Sequence, residues 1–236
     1  MPHVFFIGLL SLFACTNAGP LEVSFPVTAL GQDATPTTVG AWTVQLTRAE
    51  VGFGPAYFCA GVSAAGELCR AALAEFADSH AINALSPEPQ PLGFGAGETG
   101  TVRSVTYDFA ISWTLTQNSP TSLAGAPQGH SAILEGTATR GADVLNFRTS
   151  LALAPQFAGA RAVESAPVRA TLSGSEVALD VVVRPLAWAS VIPFDAVFAS
   201  SGGAPLVTLL PGSPAYEAIR LAMMVNAPPQ LTWHTP

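Results

Sequence analysis

Apolar and polar residues alternate along much of this chain, which is the pattern of strands that bury one face. In the clearest run the polar residues Thr106, Asp108, Ser112 and Thr114 lie on the opposite face from the apolar ones. The apolar positions of that run are Val105, Tyr107, Phe109, Ile111, Trp113 and Leu115. Shorter runs of the same kind occupy residues 42–46, 145–153 and 177–183. The pattern predicts one long half-buried strand and several shorter ones.

Short turns separate two pairs of these strands. Arg140-Gly141 divides a strand near 131–139 from one that begins at Ala142, and Ser173-Gly174-Ser175 divides 168–172 from 177–184. Glycine and small polar residues at such points are typical of hairpins. The proline- and glycine-rich stretch 86–100 is predicted to be the longest loop.

Two segments have helical spacing instead. Residues 67–77 are rich in alanine, and Cys69, Leu73, Phe76 and His80 fall on one face of a helix. Near the C-terminus, Ser213-Pro214 combines an N-cap residue with a proline at the first helical position. The residues that this second helix turns inward are Tyr216, Ile219 and Met223. A final short strand is predicted over 230–234.

The N-terminus carries a short apolar run, Val4–Leu12, followed by Phe13-Ala14-Cys15. The run has the length of a signal-peptide core and is too short to span a bilayer. Leu12-Phe13-Ala14-Cys15 resembles the lipobox of bacterial lipoproteins, although no Lys or Arg precedes it. The resemblance implies cleavage before Cys15, acylation of that residue and a lipid anchor in the cell envelope. Cleavage after Ala18 is the alternative, and it would release a soluble secreted protein.

Two cysteines remain once Cys15 is assigned to the anchor. Cys59 and Cys69 are an even pair in an oxidising compartment, where a disulfide between them is expected. Their spacing does not match the CxxC motifs of metal or redox sites.

Together these features predict an all-β fold, a mostly antiparallel β-sandwich with a short disulfide-linked helix and a C-terminal helix. The absence of a repeat or a long linker favours a single domain over residues 21–236. Residues 1–14 would be the signal peptide and residues 15–20 a tether.

Charged residues make up only 11% of the chain, and the net charge is −7. All nine basic residues are arginines, and they are scattered singly along the sequence. Nucleic-acid binding requires a cluster of positive charge, so it is not expected here.

Two short motifs resemble catalytic or nucleotide-binding signatures. Gly95–Gly100 matches GxGxxG, but that motif must follow a strand and open a helix, whereas here it leads into a strand. Gly129-His130-Ser131 resembles the start of a nucleophile elbow but lacks the closing glycine, which makes a hydrolase the less favoured reading. The chain is therefore not expected to be an enzyme.

The alternative to a non-catalytic role is copper binding outside the cytoplasm. Imidazole and thioether groups suit copper. The available ligands are His80, His130, His234, Met223 and Met224. The fold would have to bring them together, because no two histidines have a ligand spacing.

The densest aromatic patch, Phe53 to Phe58, is the candidate edge for binding a partner, through Phe53, Tyr57 and Phe58. The sequence thus favours a lipid-anchored binding or structural module whose partner is an unidentified protein or small-molecule ligand. The C-terminal half loosely resembles uncharacterised secreted lipoproteins of GC-rich bacteria, through Asp180–Val183, Trp188, Phe194-Asp195 and the helix after Ser213. That resemblance implies no particular activity.

Overall fold

The computed structural model describes residues 19–62, 72–174 and 177–235. The predictions that concern residues 1–18 and Cys69 lie outside these ranges. The strands within them are β1 (Glu22–Leu30), β2 (Thr37–Val39), β3 (Trp42–Phe53), β4 (Ala56–Cys59), β5 (Ala72–Phe76), β6 (His80–Asn83), β7 (Gln90–Glu98), β8 (Gly100–Tyr107), β9 (Ile111–Ser112), β10 (Thr121–Ser122), β11 (Ala132–Arg140), β12 (Asp143–Leu151), β13 (Val163–Leu172), β14 (Ala178–Val182), β15 (Leu206–Thr208) and β16 (Gln230–His234). The helices are α1 (Pro185–Ala189), α2 (Phe194–Ser200) and α3 (Pro214–Leu221).

Most strands belong to two sheets, and both sheets are largely antiparallel. The larger sheet has the order β13-β8-β4-β5-β7-β1-β14-β16. The smaller has the order β15-β12-β11-β3-β2, and β6 also pairs with β3. The pairs β1–β14 and β12–β15 are parallel. The prediction of a mostly antiparallel, β-rich fold is confirmed.

Apolar side chains from both sheets and all three helices form one contiguous core. Among its largest fully buried members are Phe25 of β1, Trp42 of β3, Phe147 of β12 and Trp188 of α1. Each side chain of this size stabilises the fold by roughly 1.5–3 kcal/mol when it leaves water.

Several local predictions are confirmed. β11 and β12 form the expected hairpin, in which Arg140 lies opposite Asp143. Helix α3 begins at Pro214, and the Ser213 hydroxyl accepts a hydrogen bond from the Tyr216 backbone N–H at 3.3 Å. The predicted last strand is β16. The hairpin and the start of α3 depend on contacts between residues that are close in sequence, whereas β16 pairs with β14, about fifty residues earlier.

Two other local predictions are wrong. Residues 72–76 of the predicted helix 67–77 form β5, because Ala74 and Phe76 alternate inward and the strand pairs with both β4 and β7. Pairing with neighbouring strands overrides the helix propensity of alanine. β13 and β14 do not pair with each other as the predicted hairpin requires, since β13 pairs with β8 while β14 pairs with β1 and β16.

The predicted long strand over 105–115 is also interrupted. β8 ends at Tyr107, and β9 begins only at Ile111. Ala110 between them has a left-handed backbone, with φ of 55°. The Asp108 side chain is fully buried in this bend. Its place among the polar residues of the alternating pattern therefore does not mean that it is exposed to solvent.

The predicted loop 86–100 is wrong over most of its length, because β7 occupies residues 90–98. Gly95 lies beneath the Phe25 ring, where an added Cβ would come within 2.2 Å of it. At Gly97 an added Cβ would come within 2.4 Å of the Ala74 Cβ. The glycines therefore make room for neighbouring strands, and they do not form a turn.

Candidate functional site

The two edge strands of the larger sheet, β13 and β16, line the same cleft. β13 contributes residues 166–168, and β16 contributes residues 230–232. Val105 and Tyr107 of β8 and the segment 226–229 complete the lining of the cleft, whose volume is about 410 Å³. The sheet thus brings its first and last strands to one place without pairing them in the described part of the chain.

The chemistry of this cleft is neutral and mainly apolar. None of the described residues that line it is charged. Its polar side chains are Asn226, Gln230, Thr232 and Tyr107, and three of its residues are prolines at 167, 228 and 229. Proline at a sheet edge lacks the N–H group that another strand would need, so it protects the edge from pairing.

The wall formed by residues 226–229 is fixed from inside the fold. Trp188 of α1, which is fully buried, donates a hydrogen bond from Nε1 to the Ala227 carbonyl oxygen at 2.7 Å. Ala227 follows the π-helical turn Ala222–Asn226 that extends α3. The helical layer therefore sets the position of this wall relative to β16.

Tyr107 contributes to the lining of the cleft and is fully buried. Its hydroxyl oxygen is buried and has no hydrogen-bond partner among the described residues. Burial raises the pKa of Tyr107, so the hydroxyl keeps its proton at any physiological pH. A buried polar group without a partner costs about 1–3 kcal/mol. Such a group is a candidate for binding a ligand.

Aromatic rings hold β16 against the interior. Trp233 packs edge to face with Phe25 and with Phe58, at centroid distances of 4.7 and 5.0 Å. The Trp233 Nε1 atom is also buried, and no described residue accepts its hydrogen bond. The cleft is therefore bordered by rigid packing on the β16 side.

A buried ion pair fixes the opposite side. Asp108 Oδ2 accepts hydrogen bonds from Ser112 Oγ at 2.6 Å and from Arg161 Nη1 at 3.0 Å. Its Oδ1 accepts from the Ala162 backbone N–H at 2.8 Å, directly before β13 begins. Burial raises the pKa of Asp108 even though these hydrogen bonds and the Arg161 charge lower it. With both oxygens bonded, this carboxylate positions β13.

The predicted aromatic edge is mostly internal. Phe53 and Phe58 are fully buried, whereas Tyr57 is half-buried and the Arg161 guanidinium lies 4.6 Å above its ring. Of these three residues, only Tyr57 reaches the surface.

The candidate copper ligands lie on separate elements. His80 begins β6, His130 precedes β11, and His234 ends β16 with its Nδ1 3.5 Å from Asp180 Oδ2. Met223 is fully buried in the core. Met224 lies beside Arg220, whose Nη1 is 3.9 Å from its sulfur. Among the described residues, no three His, Cys, Asp or Glu side chains are grouped so that they could hold a metal ion.

The glycine motif, the serine of the elbow-like motif and Cys59 all lie in strands or in the core. Gly95–Gly100 runs from β7 into β8 rather than into a helix. Ser131 is fully buried, and its hydroxyl accepts a hydrogen bond from the Leu153 backbone N–H at 3.0 Å. Cys59 is 4% exposed at the end of β4. Cys15 and Cys69 are outside the described ranges.

The cleft between β13 and β16 was not found from the sequence. Tyr107 has the alternating phase of a core residue, and Val105 and Val168 have the same apolar character as dozens of others. The prolines at 167, 228 and 229 are local signs of edge strands. Which two edges meet depends on the order of the whole sheet.

Comparisons with known proteins give no assignment for this chain. No protein-family model matches it, no curated protein matches its sequence, and no solved structure matches its fold. In the described residues no helix is long and apolar enough to cross a membrane.

Proposed function

We propose that this chain is a lipid-anchored protein of the bacterial cell envelope that acts as a non-catalytic binding module, with the cleft between β13 and β16 as its binding site. The observation that carries the proposal is the cleft itself. It is concave and mainly apolar, and Tyr107, which contributes to its lining, carries a buried hydroxyl without a partner among the described residues. Ligand sites in proteins commonly combine an apolar lining with a few fixed polar groups.

Anchoring through Cys15 rests on the lipobox resemblance of residues 12–15. The test is membrane fractionation of a bacterial host that produces the full chain or Cys15→Ala. The full chain should sediment with membranes and carry the added mass of acyl chains, and Cys15→Ala should lose both. Equal fractionation and equal mass for the two proteins would contradict the anchor.

The proposal also includes a β-sandwich architecture. In it, a disulfide joins Cys59, at the end of β4, to Cys69. The single core shared by both sheets and the burial of Cys59 support it. Alkylation of the unreduced, denatured full chain carrying Cys15→Ala tests the disulfide. No alkyl group should be added before reduction and two after it, whereas two additions before reduction would exclude the bond.

Binding in the cleft is tested with Nile red, a neutral fluorescent dye, added to the full chain carrying Cys15→Ala so that no acyl chain competes. Thr232 lines the cleft and is exposed, so Thr232→Trp should fill its mouth and weaken dye binding at least tenfold. Thr43 is an exposed strand residue outside the cleft, and Thr43→Trp should leave binding unchanged. Equal binding by the two variants would show that the cleft is not the site.

A further inference from the structure

We infer that the ligand of the cleft between β13 and β16 is a neutral amphiphile. Its apolar part lies between the two strands, and its uncharged polar head lies at the rim formed by Asn226, Gln230 and Thr232. The inference rests on the proposed function and names the class of ligand for the same site. The cleft volume of about 410 Å³ lies within the range of sites for small organic molecules.

The inner part of the cleft is apolar because both edge strands turn alternate residues toward the core. On β13, Val168 is buried and Ala166 packs against the core. On β16, Leu231 packs against the same core. All three residues line the cleft, together with the buried Val105 of β8. This inner part therefore favours an apolar group, which gains free energy when it leaves water.

The rim of the cleft is polar and accessible to solvent. Asn226, Gln230 and Thr232 belong to the lining, and all three are exposed. No hydrogen bond joins any of their side chains to another residue of the described ranges. Amide and hydroxyl side chains both donate and accept hydrogen bonds. The rim can therefore bind hydroxyl or amide groups of a ligand without giving up an internal contact.

The requirement for a neutral head follows from the charges around the rim. None of the described residues that line the cleft is charged. Arg169 of β13 and Asp180, which lies opposite Thr232 in β14, are adjacent to lining residues but do not belong to the lining. A sulfate or ammonium head would therefore lose part of its hydration at the rim without gaining an opposite charge.

An extended peptide strand fits the cleft less well, although both of its sides are sheet edges. Pro167 lies in β13, and Pro228 and Pro229 directly precede β16. These residues have no backbone N–H, and β13 is irregular between Val163 and Ala170. Continuous pairing of an added strand along either edge is therefore interrupted.

The test uses three amphiphiles that share an octyl chain and differ in the head. Octyl glucoside is neutral, octyl sulfate is anionic and octyltrimethylammonium is cationic. Each is used, below the concentration at which it forms micelles, to displace Nile red from the full chain carrying Cys15→Ala. Because the apolar chains are equal, differences in affinity report the head alone. We expect octyl glucoside to be the tightest competitor.

Two matched variants locate the head. Gln230→Glu places a negative charge at the rim with almost no change in size. Gln45→Glu adds the same charge at an exposed residue of β3 outside the cleft. Gln230→Glu should raise the ratio of the cationic to the anionic affinity about threefold to tenfold more than Gln45→Glu does, the effect of charges in contact at an exposed site.

A charged amphiphile that binds the parent protein as tightly as octyl glucoside would overturn the neutral class. Equal ratios for Gln230→Glu and Gln45→Glu would overturn the position of the head at the rim. Either result would leave the cleft as a binding site. Failure of Thr232→Trp to block Nile red would overturn the cleft and the proposed function together.

Discussion

Arg161 Nη1 lies 3.0 Å from Asp108 Oδ2, and this ion pair joins the bend after β8 to the residues directly before β13. Asp108 is 0% exposed at its side chain and Arg161 is 17% exposed. The pair therefore fixes the start of β13, which forms one wall of the cleft. Neither charged residue is among those that line the cleft.

Replacing Arg161 by methionine should destabilise the fold. Asp108 would keep its bonds from Ser112 and Ala162 but lose its only ion-pair partner in the described structure, and breaking a buried pair in this way costs about 3–5 kcal/mol. Arg169→Met, at an exposed arginine of β13, is the control and should change stability by less than about 0.5 kcal/mol. The measurement is urea unfolding at pH 7, and equal effects of the two substitutions would contradict the structural role of the pair.

The pH dependence of stability should also depend on Asp108. An acid whose pKa is raised in the folded protein binds its proton more tightly there than in the unfolded chain. The contribution of Asp108 to the free energy of unfolding therefore rises as the pH falls through the raised pKa toward the ordinary value of 3.8. The same contribution declines when the pH is raised again. Asp108→Asn cannot titrate, so the difference between the two proteins isolates this group.

Urea unfolding of both proteins between pH 7 and pH 4 measures that difference. The wild-type protein should gain stability relative to Asp108→Asn on acidification. A relative loss would mean that the native pKa of Asp108 is lowered, and that Arg161 outweighs burial.

A glycine in β7 provides a test of strand packing. Gly95→Ala would place a methyl group within 2.2 Å of the Phe25 ring and should destabilise the protein by about 1–3 kcal/mol. At Gly61 nothing lies within 4 Å of an added Cβ, so Gly61→Ala should be tolerated. Thermal unfolding of both variants checks the contrast, and a tolerated Gly95→Ala would argue against the pairing of β7 with β1.

This glycine also shows what the sequence could and could not predict. Helix α3 was predictable because its N-cap, its N1 proline and its buried face are all local in sequence. Strand β7 was not predictable, because Gly95 makes room for the ring of Phe25, which is seventy positions earlier in the sequence. The strand β5 was missed for the same reason, since its pairing partners β4 and β7 outweigh the helix propensity of its alanines.

The candidate site depends on sequence-distant residues to a still greater degree. Alternation placed Tyr107 in the core, which is where its ring lies, but it gave no sign that the hydroxyl lacks a partner. The cleft that this residue helps to line depends on β13 and β16 being the two edges of one sheet, and on the segment held by Trp188. No short-range pattern in the chain encodes either relationship.

The central claim is that Tyr107, which contributes to the lining of the cleft, carries a buried hydroxyl without a hydrogen-bond partner, and ligand-free unfolding of Tyr107→Phe tests it most directly. Tyr216→Phe is the matched control, because the Tyr216 hydroxyl accepts a hydrogen bond from the Ala152 backbone N–H at 3.1 Å. The control should lose about 1 kcal/mol. Tyr107→Phe should lose nothing or gain up to about 1 kcal/mol, whereas a loss as large as that of Tyr216→Phe would show that the hydroxyl already has a partner and would contradict the account.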